Sequence, residues 1–198
     1  STYYWQVVAK DEHGASKTGP VWQFTTEPEP NEPPTASLSV TPQSPNVGDF
    51  VELDATGSSD PNGDSLDYEW TVLSSPSGAS PSLTGGNAIT SFLASEPGTY
   101  EVELAVIDGS NADDTTTTTI DVVDETPPTA EAGPDRSAGV GETVAFDGRG
   151  STDNVGIVSY SWDFDDGSTA TGPAPTHSYS NTGEYTVELT VADEAGHT

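Results

Sequence analysis

An alternating stretch, GTYEVELAVID, occupies residues 98–108, and the similar GEYTVELTVAD occupies residues 183–193. In both copies aromatic or aliphatic residues alternate with smaller or polar ones. The apolar positions are Tyr100, Val102, Leu104 and Val106 in the first copy and Tyr185, Val187, Leu189 and Val191 in the second. Because successive side chains of a β-strand point to opposite faces, a period of two predicts a strand with one face in a core and the other in solvent.

These stretches belong to a longer repeat. Pro33-Pro34-Thr35-Ala36 recurs as Pro127-Pro128-Thr129-Ala130, and Ser58-Ser59-Asp60 recurs as Ser151-Thr152-Asp153. Nowhere does an apolar stripe with helical spacing hold for three turns, so we expect essentially no helix. Short strands separated by Gly, Pro, Asn and Asp turns are typical of two-sheet sandwiches. The sequence therefore predicts an all-β chain of tandem antiparallel sandwiches.

The repeat also divides the chain. We predict one sandwich over residues 33–124 and a second over residues 125–198, which lacks the counterpart of the first copy's last strand. Residues 27–32 form an acidic, Pro-rich linker, and residues 1–26 form a separate hairpin. Proline restricts the backbone and like charges repel, so we expect stiff junctions with the modules end to end. Since Ser1 leads almost directly into a strand and Thr198 stops before one is due, we expect an internal fragment.

The charge limits the partners. Asp and Glu number 33 against 4 Lys and Arg, a net charge of −29. Phosphate backbones and anionic headgroups would be repelled, and no apolar run approaches the roughly 20 residues of a spanning helix. We therefore predict no nucleic-acid partner and no membrane insertion. High salt or extracellular calcium would screen the charge. The absence of cysteine rules out disulfides and fits a prokaryotic surface protein.

Residues 162–167, WDFDDG, resemble the W-D-F-G-D-G motif of the polycystic kidney disease (PKD) domain, with Asp165 in place of the family's glycine. His177-Ser178-Tyr179 and Val191-Ala192-Asp193 follow as they do in that family. The first copy lacks the motif and resembles a diverged member. The resemblance implies immunoglobulin-like β-sandwiches, which are common in surface proteins and as accessory modules of secreted hydrolases. Residues 1–26 resemble the C-terminal hairpin of a fibronectin type III domain.

The acidic loops are the candidate ligand sites. In the second copy, this topology can bring several loop and strand-end residues with side-chain oxygens to one end of the sandwich, where a hard cation could bind: Asp153, Asn154, Asp163, Asp165, Asp166 and Asp193. The resemblance implies a calcium site at Asp163, Asp166 and Asp193, to which the junction acids Asp124 and Glu125 could add ligands and so fix the angle between modules. In the first module, the spacing of Asp60, Asn62 and Asp64, together with Asp108, suggests a weaker calcium site. Turn residues in solvent explain the same acids without a metal.

No residue pattern indicates catalysis. The acids lie in exposed turn sequence, and the three histidines lack zinc-ligand spacing. Trp70 and Trp162 occupy inward strand positions, which favours a core role over a carbohydrate platform.

We therefore predict a non-catalytic structural or adhesive spacer of a large extracellular surface protein, surface layer or filament. The alternative is an accessory region of a secreted protease or polysaccharide hydrolase. The expected partners are neighbouring sandwich modules of the same polypeptide. Other copies of the chain, joined by strand addition, and surface glycans remain open as further partners.

Overall fold

The computed structural model describes all 198 residues and consists of fourteen strands joined by turns and loops. It contains no helix, and so none that is long and apolar enough to cross a bilayer. The strands form five sheets, and all of the strand pairs within them are antiparallel. The prediction of an all-β chain of antiparallel sheets is confirmed.

The first two strands form a hairpin, β1 (Thr2–Lys10) and β2 (Ser16–Thr25), which pair with each other only. Tyr3 stacks on Phe24 and Trp5 meets Trp22 edge to face, so four aromatic rings share one face of the hairpin. All four rings are about half exposed. The fibronectin type III origin of this hairpin stays a prediction.

The next seven strands make the first module, a sandwich of two sheets. One sheet has the order β3-β4-β7-β6 and the other the order β5-β8-β9. The strands are β3 (Ser39–Thr41), β4 (Phe50–Asp54), β5 (Leu66–Ser74), β6 (Thr84–Gly86), β7 (Ile89–Leu93), β8 (Gly98–Asp108) and β9 (Asp113–Val122). The alternating stretch at residues 98–108 is the central strand β8, as the period of two predicts.

The core of the first module lies between these sheets. Val51, Leu53 and Phe92 come from one sheet, and Tyr100 and Val102 come from β8 in the other; all are essentially inaccessible to solvent. Their burial removes apolar surface from water, which is the main driving force for folding. The outward-facing residues of β8 and β9 are mostly acids and threonines, with Ala105 and Ile107 near the end of β8, so the two faces differ as alternation predicts.

The last five strands make the second module. They are β10 (Val144–Ala145), β11 (Ile157–Asp163), β12 (Thr169–Thr171), β13 (Thr176–His177) and β14 (Glu188–Asp193), arranged as sheets β10-β13 and β12-β11-β14. Trp162 is 1% exposed and packs on Phe146, which also contacts Phe164. The indole N–H of Trp162 donates to the Gly172 carbonyl at 3.0 Å, as that of Trp70 does to the Asn87 carbonyl.

The two modules differ in two strands. The loop after β5 ends in β6, which joins the sheet of β7. The corresponding strand β12 joins the opposite sheet, beside β11. In addition, β8 lies between β5 and β9, whereas β14 pairs with β11 alone and has a free edge.

A candidate cation site at the junction of the two modules

Asp124 lies at the junction between the first module and the second. Directly before it, Val123 forms a parallel bridge to Asn46, with hydrogen bonds from Val123 N to Pro45 O and from Val47 N to Val123 O. The Asp124 carboxylate accepts hydrogen bonds at 3.1 Å from the Thr126 N–H and from the Asn154 side chain. The backbone of Asp124 is therefore held by the first module, while its side chain meets the second.

Asp153 lies in the turn before β11. Its Oδ2 accepts hydrogen bonds from the Val155 and Gly156 N–H groups, at 2.8 and 2.7 Å. Its Oδ1 is inaccessible to solvent and has no hydrogen-bond partner. A buried carboxylate oxygen without a partner is unfavourable unless a cation or a donor satisfies it.

Asp193 ends β14 and is 3% exposed. Its Oδ1 accepts the Gly196 and His197 N–H groups at 2.7 and 2.9 Å, and its Oδ2 lies 2.9 Å from Nδ1 of His197. Burial raises the pKa of Asp193, but the hydrogen bonds from His197 and Gly196 outweigh it and leave the pKa below its ordinary value. The side chain is thus held as a carboxylate.

These three residues, which we name the acid trio, converge. One oxygen from each of Asp124, Asp153 and Asp193 lies within 4.8 Å of the other two, and no other group of three acids or histidines in the chain is as close. Calcium binds oxygen at 2.3–2.6 Å, so two ligands of one ion are separated by at most about 5 Å. The acid trio fits a hard divalent cation in donor type, spacing and charge.

The trio includes only part of the predicted ligand set. Asp124 and Asp193 belong to it, but the register of β11 and β14 places Asp163 opposite Glu188 and Ile157 opposite Asp193. Asp163 therefore lies at the other end of the sheet from Asp193, about 17 Å away at roughly 3.4 Å per residue. The structure does not bring Asp163 or Asp166 to the junction, and the Glu125 carboxylate accepts a hydrogen bond from Asn46 instead.

Asp163, Asp165 and Asp166 build the turn of the WDFDDG segment. Asp163 accepts the Asp165 N–H at 2.9 Å, and Asp166 pairs with Nε2 of His177 at 2.8 Å. His177 stacks on Phe164 at 4.3 Å and meets Tyr179 edge to face. The hydrogen bond from His177 is the main cause that lowers the pKa of Asp166. These acids tie the turn to β13 and to the segment that leads into β14.

In the first module, the predicted residues hold the linker. Asp60 accepts the N–H groups of Asn62 and Asp64, and its Oδ2 is buried without a partner. The Asn62 side chain accepts the Glu32 N–H at 2.8 Å and donates to the Pro30 carbonyl at 3.4 Å.

Asp108 completes this end of the first module. Its carboxylate accepts the Ser110 and Ala112 N–H groups and, at 2.7 Å, the amide of Asn31. Asp64 takes part through its backbone N–H. Sequence reasoning left Asn31 out of the site. It placed Asp153 among the acids at one end of the second sandwich, but not among the calcium ligands that the family resemblance implies; the repeat of Asp60 at Asp153 was a further signal.

Comparison with known proteins agrees with this architecture. Residues 36–122 match the family model described as K319L-like, PKD domain, and residues 125–198 match the model described as PKD domain. A microbial collagenase of Vibrio alginolyticus is 53% identical over 58 residues, which are 29% of this chain and 7% of that protein. Collagenase ColA of Clostridium perfringens is 37% identical over 120 residues, 58% of this chain and 10% of that protein.

The chain thus spans a tenth or less of the length of these relatives. Among solved structures, the PKD1 domain of Vibrio anguillarum Epp is 23% identical with a TM-score of 0.38, over 48% of this chain and 99% of that one. Both family models describe a PKD domain, and only residues 123 and 124 separate their two matched ranges. The chain belongs to the PKD domain family and carries two PKD domains in tandem.

Proposed function

We propose that this chain is a non-catalytic spacer of an extracellular protein, and that calcium at the acid trio stiffens the joint between its two PKD domains. The proposal rests on one observation: Asp124 is attached to the end of the first module, whereas Asp153 and Asp193 belong to the second. An ion bound to all three would link the modules directly. Since the joint sets the angle between the modules, its stiffness would determine the end-to-end distance of the two modules.

The chemistry of the trio favours calcium. All three ligand groups are carboxylates, which hard cations prefer, and Asp153 brings a buried oxygen that no hydrogen bond satisfies. Three converging carboxylates repel one another, and a divalent cation would relieve that repulsion. Sites of this kind in extracellular modules bind calcium with dissociation constants of about 10⁻⁴–10⁻³ M. Calcium outside the cell reaches that range, so the proposed location and the proposed ion agree.

Thermal unfolding with calcium chloride or with a chelator tests the site. Calcium should raise the melting temperature of the wild-type chain, because a ligand that binds only the folded state stabilises it, by about 1–3 kcal/mol at 10–100 times its dissociation constant. Asp153→Asn keeps an acceptor for the backbone N–H groups but removes a charged ligand, so most of the shift should disappear. The matched control is Asp135→Asn, an exposed acid of the same module, which should keep the full shift. Equal melting curves with and without calcium would refute the proposed site.

The second candidate is an accessory region of a secreted protease or polysaccharide hydrolase. The relatives named collagenases favour it, since segments similar to this one form a small part of those proteins. The coding sequence on either side of the chain separates the two functions. A peptidase or glycosidase domain in the same reading frame would support the accessory region, whereas further PKD domains or a surface anchor would support the spacer.

A further inference from the structure

One asparagine of the chain stands directly before a glycine. The chain has seven asparagines, and only Asn62 precedes a glycine, Gly63. The pair lies in an exposed turn between β4 and β5, where the first module meets the linker. The backbone nitrogen of the residue after an asparagine can attack the side-chain amide carbon, and glycine leaves that approach open because it has no Cβ. The pair is therefore a candidate site of spontaneous covalent modification.

The attacking nitrogen, that of Gly63, is unobstructed. Gly63 has a φ of +79°, and a Cβ at this position would meet nothing within 4 Å. Its N–H donates to the Asp60 carbonyl at 3.2 Å, which is at the long end of the range for such bonds. The nitrogen is thus open to water and weakly held, so it can lose its proton to hydroxide and turn toward the Asn62 side chain.

The side-chain amide of Asn62 is held in a way that favours attack. Its Oδ1 accepts the Glu32 N–H at 2.8 Å, whereas its Nδ2 donates to the Pro30 carbonyl at only 3.4 Å. A donor on the carbonyl oxygen draws electron density from Cγ and stabilises the negative charge that develops on Oδ1 during attack. The nitrogen that must leave has the weaker of the two contacts. The linker therefore activates Cγ and does little to retain the leaving group.

We propose that Asn62 is a site of spontaneous deamidation, which loosens the linker from the first module as the protein ages. The Gly63 nitrogen loses its proton and forms a bond to Cγ of Asn62. The Cγ–Nδ2 bond then breaks, ammonia leaves, and a cyclic imide remains. Water opens this ring at either of its two carbonyl groups and gives aspartate or isoaspartate. The whole reaction consumes a water and releases an ammonia, and it needs no oxidant or other reactant.

Both products weaken the contact with the linker. A carboxylate has no hydrogen to donate to the Pro30 carbonyl, and it adds a negative charge near the Asp60 carboxylate. In isoaspartate, the Cγ carbonyl that accepted the Glu32 N–H becomes part of the main chain, which is longer there by a methylene group. The lengthened turn no longer fits the Asp60 carboxylate, which accepts the N–H groups of Asn62 and Asp64. The joint before the first module thus changes in one direction with time.

NMR of the aged full chain tests the reaction. Samples are kept warm in mildly alkaline buffer with a chelator, so that the result does not depend on the proposed calcium site, and are measured at mildly acidic pH. The side-chain NH₂ signals of Asn62 should disappear while those of the other six asparagines remain. The rate should rise about tenfold per pH unit, because the nucleophile is the deprotonated nitrogen. Asn62→Gln is the control: its ring closure needs a larger ring, so its intact mass should not change.

Three results would overturn the inference. The first is retention of the Asn62 signals, or earlier loss of those of another asparagine. The second is a rate more than about tenfold below that of the same chain unfolded in urea, because the fold would then protect Asn62. The third concerns the linker: the Glu32 amide hydrogen should exchange at least about tenfold faster in the aged sample than in a fresh one. Equal exchange would contradict the loosening of the joint.

Discussion

At the scale of single residues, Asp165 shows how one side chain can combine two tasks. Its φ is +62°, in the left-handed region that glycine adopts without strain and that other residues adopt at a cost. Its Oδ2 also accepts the N–H of Thr186 at 2.9 Å, which ties the WDFDDG turn to the segment leading into β14. The positive φ explains the family's glycine at this position, and the hydrogen bond explains how an aspartate can replace it.

Substitutions at Asp165 separate these two effects. Asp165→Ala should lower the free energy of unfolding by about 1–3 kcal/mol, because alanine pays for the left-handed backbone and loses the hydrogen bond. Asp165→Gly should cost less than about 1 kcal/mol, since the relaxed backbone offsets the lost bond. Urea unfolding followed by circular dichroism measures both, with the exposed Glu184→Ala as the control. If alanine were tolerated as well as glycine, the backbone explanation would be incorrect.

Residue chemistry was also where the sequence was least informative. Acids are so frequent in this chain that composition could not single out Asp153, and its buried, unpartnered oxygen is visible only in the folded structure. Asp163 and Asp166 matched the family motif, yet the register of β11 and β14 separates them from Asp193. Which acids converge depends on strand pairing over long distances in sequence, and a local motif does not contain that information.

At the scale of elements, β14 differs from its counterpart β8 by one neighbour. β8 pairs on both edges, with β5 and β9, and β14 pairs with β11 only. In an antiparallel sheet, successive N–H groups of a strand point alternately to its two neighbours. A strand with one neighbour therefore leaves every second N–H group without a strand partner.

Amide hydrogen exchange should show this difference. In β8, successive amides from Tyr100 to Val106 should all be protected, because both edges are paired. In β14, protection should alternate along residues 188–192, with the free-edge amides exchanging at least tenfold faster than their neighbours. Uniform protection of β14 would show that another strand fills its edge in solution, as strand addition between copies requires.

Element positions were predictable to the extent that alternation marks them. The apolar period at residues 98–108 located β8. At residues 183–193 the prediction was right only for the second half, because β14 begins at Glu188 and residues 183–187 are not in a strand. The threonine-rich β9 has the β-branched residues that favour strands. It was not predictable that β6 of the first module and the corresponding strand β12 of the second join different sheets. Both strands have three residues, too few for a period, and the sheet that each joins depends on which edge its loop can reach.

At the scale of the whole molecule, the chain is a series of units whose junctions carry the distinctive chemistry. A net charge of −29 favours an extended arrangement, and the residues that contact each linker come from the ends of the adjoining sandwiches. The tandem architecture followed from the internal repeat. The contacts at the two joints did not. Asn31-Glu32 recurs as Asp124-Glu125 in the sequence, but the approach of Asn31 to Asp108 and of Asp124 to Asp193 depends on the folded structure.

The most direct test is the distribution of distances between one spin label in each module. The chain has no cysteine, so labels can be placed at Thr117→Cys in β9 and Thr169→Cys in β12, both exposed. Calcium chloride should narrow the distribution relative to a chelator, and adding Asp124→Asn should leave it broad in both conditions. A distribution whose width does not change with calcium would contradict a joint stiffened by an ion at the acid trio.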